Sequence, residues 1–247
     1  MARVWCTDRV GIHSASAPVA ISAGLGSSEP PFASFNLGLK VGDDPVNVLG
    51  NRERLVQATG LDEIRFMDQI HSALMVEIDA DVGEEKCDGI FLIKDGWNEK
   101  VGLAVQVADC VPLIITGASV IAAIHIGRDG LIDGMTEAAL DTLERFTKLD
   151  ELEALIGPSI CGNCYPNSEE VFNRCTNRYP ATSFDARERK LDVAAGVISL
   201  LESRGLHWGW FGGKRECVSC DDRYFSYRRA SNQGNGATGR QAMVVGW

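Results

Sequence analysis

The chain has 247 residues, of which 45% are hydrophobic and 23% charged, and its formal net charge is -10. That length fits one large domain or two small ones, and the composition is that of a globular protein. The negative balance disfavours duplex nucleic acid as a partner, no run reaches the ~20 apolar residues of a membrane span, and the opening MARVWCTDRV lacks a signal-peptide core, so a cytoplasmic location is expected.

Arg3 to Cys6 reads as a first strand and Pro18 to Ala23 as a second, followed by the turn-rich GLGSSEPP. Phe32 to Val41 is a mixed segment that ends at Gly42-Asp43-Asp44-Pro45. Asp44 and Pro45 predict the cap and first turn of a helix with Val46, Leu49, Leu55 and Val56 on its apolar face and Gly60 at its end. Arg65 to Ile70 predicts a short strand with His71 directly behind it. Leu74 to Ile78 and Ile90 to Ile93 predict two more, the latter after Cys87-Asp88-Gly89.

Three apolar runs follow: Gly102 to Ala108, Val111 to Thr116 and Val120 to Ile124. They break at Asp109-Cys110 and at Gly117-Ala118-Ser119, and the third ends at His125. Short Val- and Ile-rich runs between turn residues read as buried strands. Gly127, Gly130 and Gly134 lead into a helix over Met135 to Phe146, with Met135, Ala139, Leu140 and Leu143 on one face. Leu155 to Ile160 predicts a strand, Glu169 to Cys175 a short helix, and Lys190 to Arg204 a longer one capped by Gly205. Glu216 to Cys220 and Gln241 to Val245 read as late strands. There is no repeat or low-complexity linker, and the simplest account is one α+β domain over 1–247, with mixed sheets and helices packed outside.

Four of the eight cysteines form two C-x-x-C pairs, Cys161/Cys164 and Cys217/Cys220. Two such pairs can build a structural zinc site. Their separation far exceeds the ~15–20 residues of a zinc ribbon, so ordinary packing cysteines are the expectation and zinc the alternative.

Cys110, His71 and His125 all sit where apolar strands end, and two of the chain's four histidines are among them. A cysteine and two histidines with an open fourth position make a catalytic zinc site. The same three residues also read as two hydrogen-bonded histidines and one buried thiol.

The segments Gln69-Ile70-His71, Ala108-Asp109-Cys110-Val111-Pro112 and His125-Ile126-Gly127-Arg128-Asp129-Gly130 resemble those of the YfiH-like proteins. These were once called laccase-domain or polyphenol oxidase proteins and are now described as purine nucleoside phosphorylases. Further matches run through most of the chain: Asn36-Leu37-Gly38, Gly42-Asp43-Asp44-Pro45, Asn51-Arg52, Cys87-Asp88-Gly89, Gly157-Pro158-Ser159-Ile160, Phe225-Ser226-Tyr227-Arg228-Arg229 and Thr238-Gly239-Arg240.

The resemblance implies an α+β fold and zinc held by His71, Cys110 and His125. It implies phosphorolysis of adenosine, inosine and methylthioadenosine, with adenosine deamination at the same site. Two departures bear on phosphate. The family usually carries His-Ala-Gly-Trp-Arg-Gly where this chain has HIGRDG, so Arg128 replaces the aromatic and Asp129 the cation. An arginine that the family often carries near Ala23-Gly24 is absent here.

Phosphorolysis needs an anion held in line with ribose C1′, which planar guanidinium groups suit. Arg52, Arg228, Arg229 and Arg240 are the candidates, and the turn over Gly127 to Gly134 can add backbone donors. Gln69 can hydrogen-bond substrate or orient a ligand. Asp109 is a candidate base or a partner of the ligands, and reads equally as a cap for backbone donors. A multicopper laccase is excluded, because four histidines cannot supply a trinuclear cluster and a blue-copper site together. Two rivals stay open: a hydrolase acting on peptidoglycan precursors, with Cys110 as nucleophile and His71 or His125 as its base, and a non-catalytic nucleoside binder.

Overall fold

The computed structural model describes residues 2–15, 17–21, 26–79, 85–94 and 100–247. The first half holds β1 (Arg3–Thr7), β2 (Ile12–Ser14), β3 (Ala17–Ile21), α1 (Pro45–Thr59), β4 (Glu63–Phe66), β5 (Met75–Glu77), β6 (Gly89–Ile93), β7 (Val101–Val107) and β8 (Val111–Thr116). After these come β9 (Val120–Ile126), α2 (Arg128–Asp133), α3 (Met135–Leu143), β10 (Glu153–Ile156), α4 (Glu169–Arg178), β11 (Ser183–Asp185) and β12 (Lys190–Leu191). The chain closes with α5 (Val193–Ser203), β13 (His207–Trp210), α6 (Tyr227–Gln233) and β14 (Gln241–Gly246).

Among the described residues the strands form two six-stranded sheets, β3-β2-β1-β14-β7-β4 and β13-β10-β8-β9-β6-β5, and a two-stranded ribbon, β11-β12. Both large sheets are mixed, with β4 parallel to β7, β5 to β6 and β10 to β13, and antiparallel pairs elsewhere. Side chains alternate along a strand, and that alternation builds the layers. Leu103, Val105 and Val107 of β7, with Met243 and Val245 of β14, pack against Ile114 of β8 and Ile121 and Ala123 of β9 between the sheets. The opposite face of the first sheet, with Ala104, Ala242 and Val244, packs on Leu55 of α1. The outer face of the second, with Leu113, Ile115, Ala122 and Ile124, is covered by α2, α3 and α5. The result is a compact α+β domain of two sheets between helices. Because Ile121 and Ala123 face the other sheet, His125 falls on that same face, at its rim.

Several expected elements shift. α1 has its predicted caps, with Asp44 Oδ1 accepting from the Val46 N–H at 2.9 Å and Gly60 in the left-handed region at φ 71°. Of the expected face Leu55 is buried, while Val46 and Leu49 are exposed, and Val48, Asn51 and Thr59 complete the buried stripe. Asn51 is buried because its amide donates to Ser28 Oγ and to the Ser34 and Asn36 carbonyls, fastening the coil of 26–37 to the helix.

The helix expected from Lys190 begins at Val193, because Asp192 caps it by accepting from the Ala195 N–H at 3.1 Å, and Lys190–Leu191 pair with β11. β10 starts two residues earlier than expected and stops at Ile156. Glu216 to Cys220 is a turn with one bridge, Ser159 to Cys217, in place of a strand. β2, β11 and β13 carried too little alternation to be read. The predicted strand's end at Ala23, and the Ala23-Gly24 position, lie outside the described residues. No helix among the described residues is long and apolar enough to cross a membrane.

Candidate metal centre

His71, Cys110 and His125 converge at the rim of the two sheets, their ligand atoms all within 4.8 Å of one another. Cys110 Sγ lies 3.8 Å from His71 Nε2, and the two imidazoles meet edge-on with centroids 4.8 Å apart. Each element delivers its ligand for a local reason. His125 ends the inward-facing series of β9. Cys110 starts the turn into β8, after Asp109 at φ 123°. His71 occupies the left-handed region at φ 59°, an uncommon conformation for a non-glycine residue.

Asp88 holds that conformation. Its carboxylate accepts from the N–H groups of Ile70 at 3.2 Å, His71 at 3.0 Å and Ser72 at 2.5 Å, and from the Ser72 hydroxyl at 2.7 Å. The same carboxylate lies 2.7 Å from His125 Nδ1. Burial pushes the Asp88 carboxyl up, but these donors outweigh it and hold the group down at about 2. Burial draws His125 below its usual range despite Asp88, favouring a neutral imidazole with Nδ1 on Asp88 and Nε2 left for a ligand.

Burial, reinforced by Asp109, pushes the Cys110 thiol up to about 12. A divalent cation supplies the charge that keeps such a sulfur as thiolate. A Cβ added at Gly127 would sit 2.7 Å from His71 Cδ2 and 3.3 Å from Cys110 Sγ, so only glycine lets the backbone pass this close. The donor set, the carboxylate orienting one histidine and the open side fit a catalytic zinc or similar ion.

That open side faces a cavity of about 620 Å³ lined by Arg52, Gln69, Asp109, Arg128, Tyr165, Tyr227, Arg228 and Arg240 around the three ligands. Arg52 stacks over Phe66 at 3.7 Å from its centroid and donates through Nε to the Leu37 carbonyl at 3.0 Å. Arg240 donates to the Thr238 and Gly239 carbonyls at 3.2 and 3.0 Å. Burial pulls its guanidinium down, opposed by the nearby Cys110 and Asp109. Arg228 lies over Tyr165 at 5.0 Å and donates to the Pro166 carbonyl at 3.2 Å.

Arg229 is not among the lining residues. Its guanidinium donates to the carbonyls of Val218, Ser219, Asp221 and Tyr224, an internal framework role in place of the expected phosphate contact. Gln69 lines the cavity, but its amide gives to and takes from the Gln106 backbone at 2.7 and 2.8 Å, stitching the end of β4 to β7. Asp109 accepts from Ser226 Oγ and the Arg228 N–H, both at 2.6 Å, at the start of α6. Burial pushes its carboxyl up, these bonds opposing. Arg128 holds Asp129 in a fork at 3.1 and 2.8 Å, so the two substituted residues neutralise each other at the cavity's edge. α2 is only six residues long.

Sequence reasoning missed the role of Asp88, although it stands in the Cys87-Asp88-Gly89 segment. An acid just ahead of the apolar run that begins at Ile90 was the available signal, but its partners are 17 and 37 residues away.

A family model described as multi-copper polyphenol oxidoreductase laccase matches residues 20–247. A purine nucleoside phosphorylase of Corynebacterium glutamicum is 36% identical over 233 residues, 89% of each chain. One of Streptomyces coelicolor is 34% identical over 230 residues, covering 89% of this chain and 90% of its own. The crystal structure of a Neisseria meningitidis protein superposes with a TM-score of 0.81 at 27% identity, covering 99% of this chain and 93% of that one. YlmD from Geobacillus stearothermophilus gives 0.78 at 26% identity, covering 90% and 87%. Matched along most of its length in both sequence and fold, the chain belongs to the YfiH-like, laccase-domain family.

Proposed function

We propose that this protein is a zinc-dependent purine nucleoside phosphorylase of the cytoplasm, acting on adenosine, inosine and methylthioadenosine, with adenosine deamination at the same site. The observation that carries the reading is the convergence of His71, Cys110 and His125 on a cavity walled by Arg52, Arg228 and Arg240. The cavity's volume, about 620 Å³, is that of a small-molecule site. The relatives named purine nucleoside phosphorylase support the substrate class.

In this reading the purine stacks on the aromatic walls, Tyr165 and Tyr227. Arg240, a half-buried cation, gains most from an anion beside it, and with Arg52 and Arg228 it orients phosphate toward ribose C1′. A phosphate oxygen bonds to C1′ as the C1′–N9 bond breaks, the electron pair leaves on the purine, and a proton from solvent restores its neutrality. In deamination, water adds at C6 and ammonia leaves. His71, Cys110 and His125 would hold the zinc, which when bound would supply Lewis-acid charge to the site. Asp88 keeps His125 in one tautomer and His71 in place, and Asp109 positions Arg228 through its backbone.

The test is product analysis with adenosine and inosine, with and without phosphate, on protein whose zinc has been quantified. Phosphate-dependent release of adenine or hypoxanthine, lost in Cys110→Ala, is expected. Inosine formed from adenosine without phosphate is expected for the deaminase reaction. No product from zinc-loaded protein overturns the enzyme reading, and retained binding would then favour the nucleoside binder. Turnover of a peptidoglycan precursor by zinc-free protein would favour the Cys110 hydrolase.

A further inference from the structure

Fifty-two residues of sequence separate Cys164 from Cys217, yet the fold closes that gap. Cys161, Cys164, Cys217 and Cys220 bring their four sulfurs within 4.8 Å of one another. Cys164 Sγ is 3.3 Å and Cys161 Sγ 4.0 Å from Cys220 Sγ. A tetrahedron of sulfurs each ~2.3 Å from a zinc ion has edges of about 3.8 Å, and these separations bracket that length. A disulfide would consume two sulfurs and leave the other pair unexplained.

The backbone is folded for a metal as well. Each pair lies on a tight turn, with the Cys164 N–H on the Cys161 carbonyl at 3.0 Å and the Cys220 N–H on the Cys217 carbonyl at 3.2 Å. The two turns are joined by the Ser159–Cys217 bridge. The Cys161 N–H points at Cys217 Sγ at 3.2 Å, a bond that strengthens when the sulfur is a thiolate. Four thiolates around one zinc leave a net charge of two minus. Two cations stand close by in the fold: Arg215, two residues before Cys217 and forked onto Asp192 at 2.6 and 2.7 Å, and Lys190, which reaches into the first turn to Asn163 Oδ1 at 3.1 Å.

We propose that these four cysteines form a second, structural zinc site, distinct from the His71–Cys110–His125 centre, and that it clamps one wall of the cavity. Zinc displaces four thiol protons to solvent, and no redox step is involved. The clamp reinforces two segments whose direct backbone link is the short bridge at Ser159, with the Ser159 N–H on the Glu216 carbonyl at 3.2 Å and the Val218 N–H on the Ser159 carbonyl at 3.3 Å. The first, residues 157–166, ties its Ile160 N–H to the Asp109 carbonyl at 2.8 Å and carries Tyr165 into the cavity. The second, residues 216–226, leads straight into α6, where Ser226 binds Asp109 and Arg228 lies over Tyr165. Arg229 ties α6 back to the second cysteine turn through the Val218, Ser219 and Asp221 carbonyls. The sulfurs are partly exposed, as a site filled from solvent requires.

The test counts metal in reduced full-length protein and in two variants. Cys110→Ala, which leaves the cluster whole, is expected to keep one zinc per chain. Cys161→Ser/Cys220→Ser is expected to lose one equivalent relative to the parent. Should that variant fail to fold, cobalt added to metal-stripped Cys110→Ala gives the same answer, because only a tetrathiolate site remains to show intense thiolate-to-cobalt absorption. Hydrogen exchange on the same protein is expected to quicken at Ile160, Val218 and Arg228 after stripping, with β9 unaffected. No zinc and no such absorption in Cys110→Ala would overturn the site. So would iron in place of zinc, or a loss of two mass units marking a disulfide. Exchange that quickens only within the cysteine turns would overturn the clamp. Neither readout depends on nucleoside turnover, so a failure of the proposed activity leaves this test intact.

Discussion

Asp88 Oδ1 lies 2.7 Å from His125 Nδ1, and the same carboxylate receives the N–H groups of Ile70, His71 and Ser72. One buried acid therefore orients one candidate metal ligand through its ring and another through its backbone. Asp88→Asn keeps the shape and removes the charge. Zinc affinity is expected to fall ten- to a hundredfold, read by competition with a chromophoric chelator.

The pH dependence follows from the same group. Its folded-state value, about 2, lies below the ~3.9 of an unfolded aspartate. The stabilisation is therefore complete above pH ~4 and lost as pH falls toward 2. Asp88→Asn is expected to cost about 2 kcal/mol at pH 7 in metal-free protein. The gap from the parent should close between pH ~4 and ~2 in denaturant titrations. A constant gap would mean that the charge of Asp88 contributes nothing.

Gly127→Ala places a methyl 2.7 Å from His71 Cδ2, against a histidine whose backbone is already pinned. A stability loss of about 1–3 kcal/mol is expected, as for other overpacked sites. Zinc should also bind on the order of tenfold more weakly, equal to about 1.4 kcal/mol. Unchanged affinity, measured by isothermal titration, would show that His71 has room to turn.

Asp109→Asn separates two roles for one carboxylate. Its oxygens hold Ser226 and the Arg228 N–H at the start of α6. A positioning role predicts a stability loss of about 1 kcal/mol, as for a lost cap, and a raised KM for phosphate, with kcat little changed. A loss of kcat by 10²-fold or more, with a flattened pH profile, would make Asp109 the general base instead.

Under the proposed function, Arg240 and the Arg128–Asp129 pair are the residues to test for phosphate handling. Arg240→Lys keeps the charge but loses the planar fork, and KM for phosphate should rise about tenfold with nucleoside KM nearly constant. Asp129→Asn releases Arg128 from its fork at 3.1 and 2.8 Å. KM for phosphate should then fall roughly three- to tenfold, with the effect shrinking at high salt. Equal shifts in both KM values would place these residues on the nucleoside.

Much of this protein is legible in its sequence, because strands and caps are local. The runs around Asp109-Cys110 and before His125 gave β7, β8 and β9 and put His125 at a strand end, and the sheet pairing then set it on the face of Ile121 and Ala123. Asp44-Pro45 and Gly60 gave α1 its ends. The alternation carried no information about partners across the fold. Asp88 meets His125 because β6 pairs with β9. Arg229 turns away from the cavity because carbonyls of the 218–224 loop take its donors. Asp109 caps α6 across 117 residues of chain. The four cysteines gather because Ser159 bridges to Cys217. Local composition marked which residues are candidates for metal and phosphate. Long-range pairing decided which of them share a site, since a side chain's neighbours across the fold are set by strand order and loop closure rather than by the residues beside it in the chain.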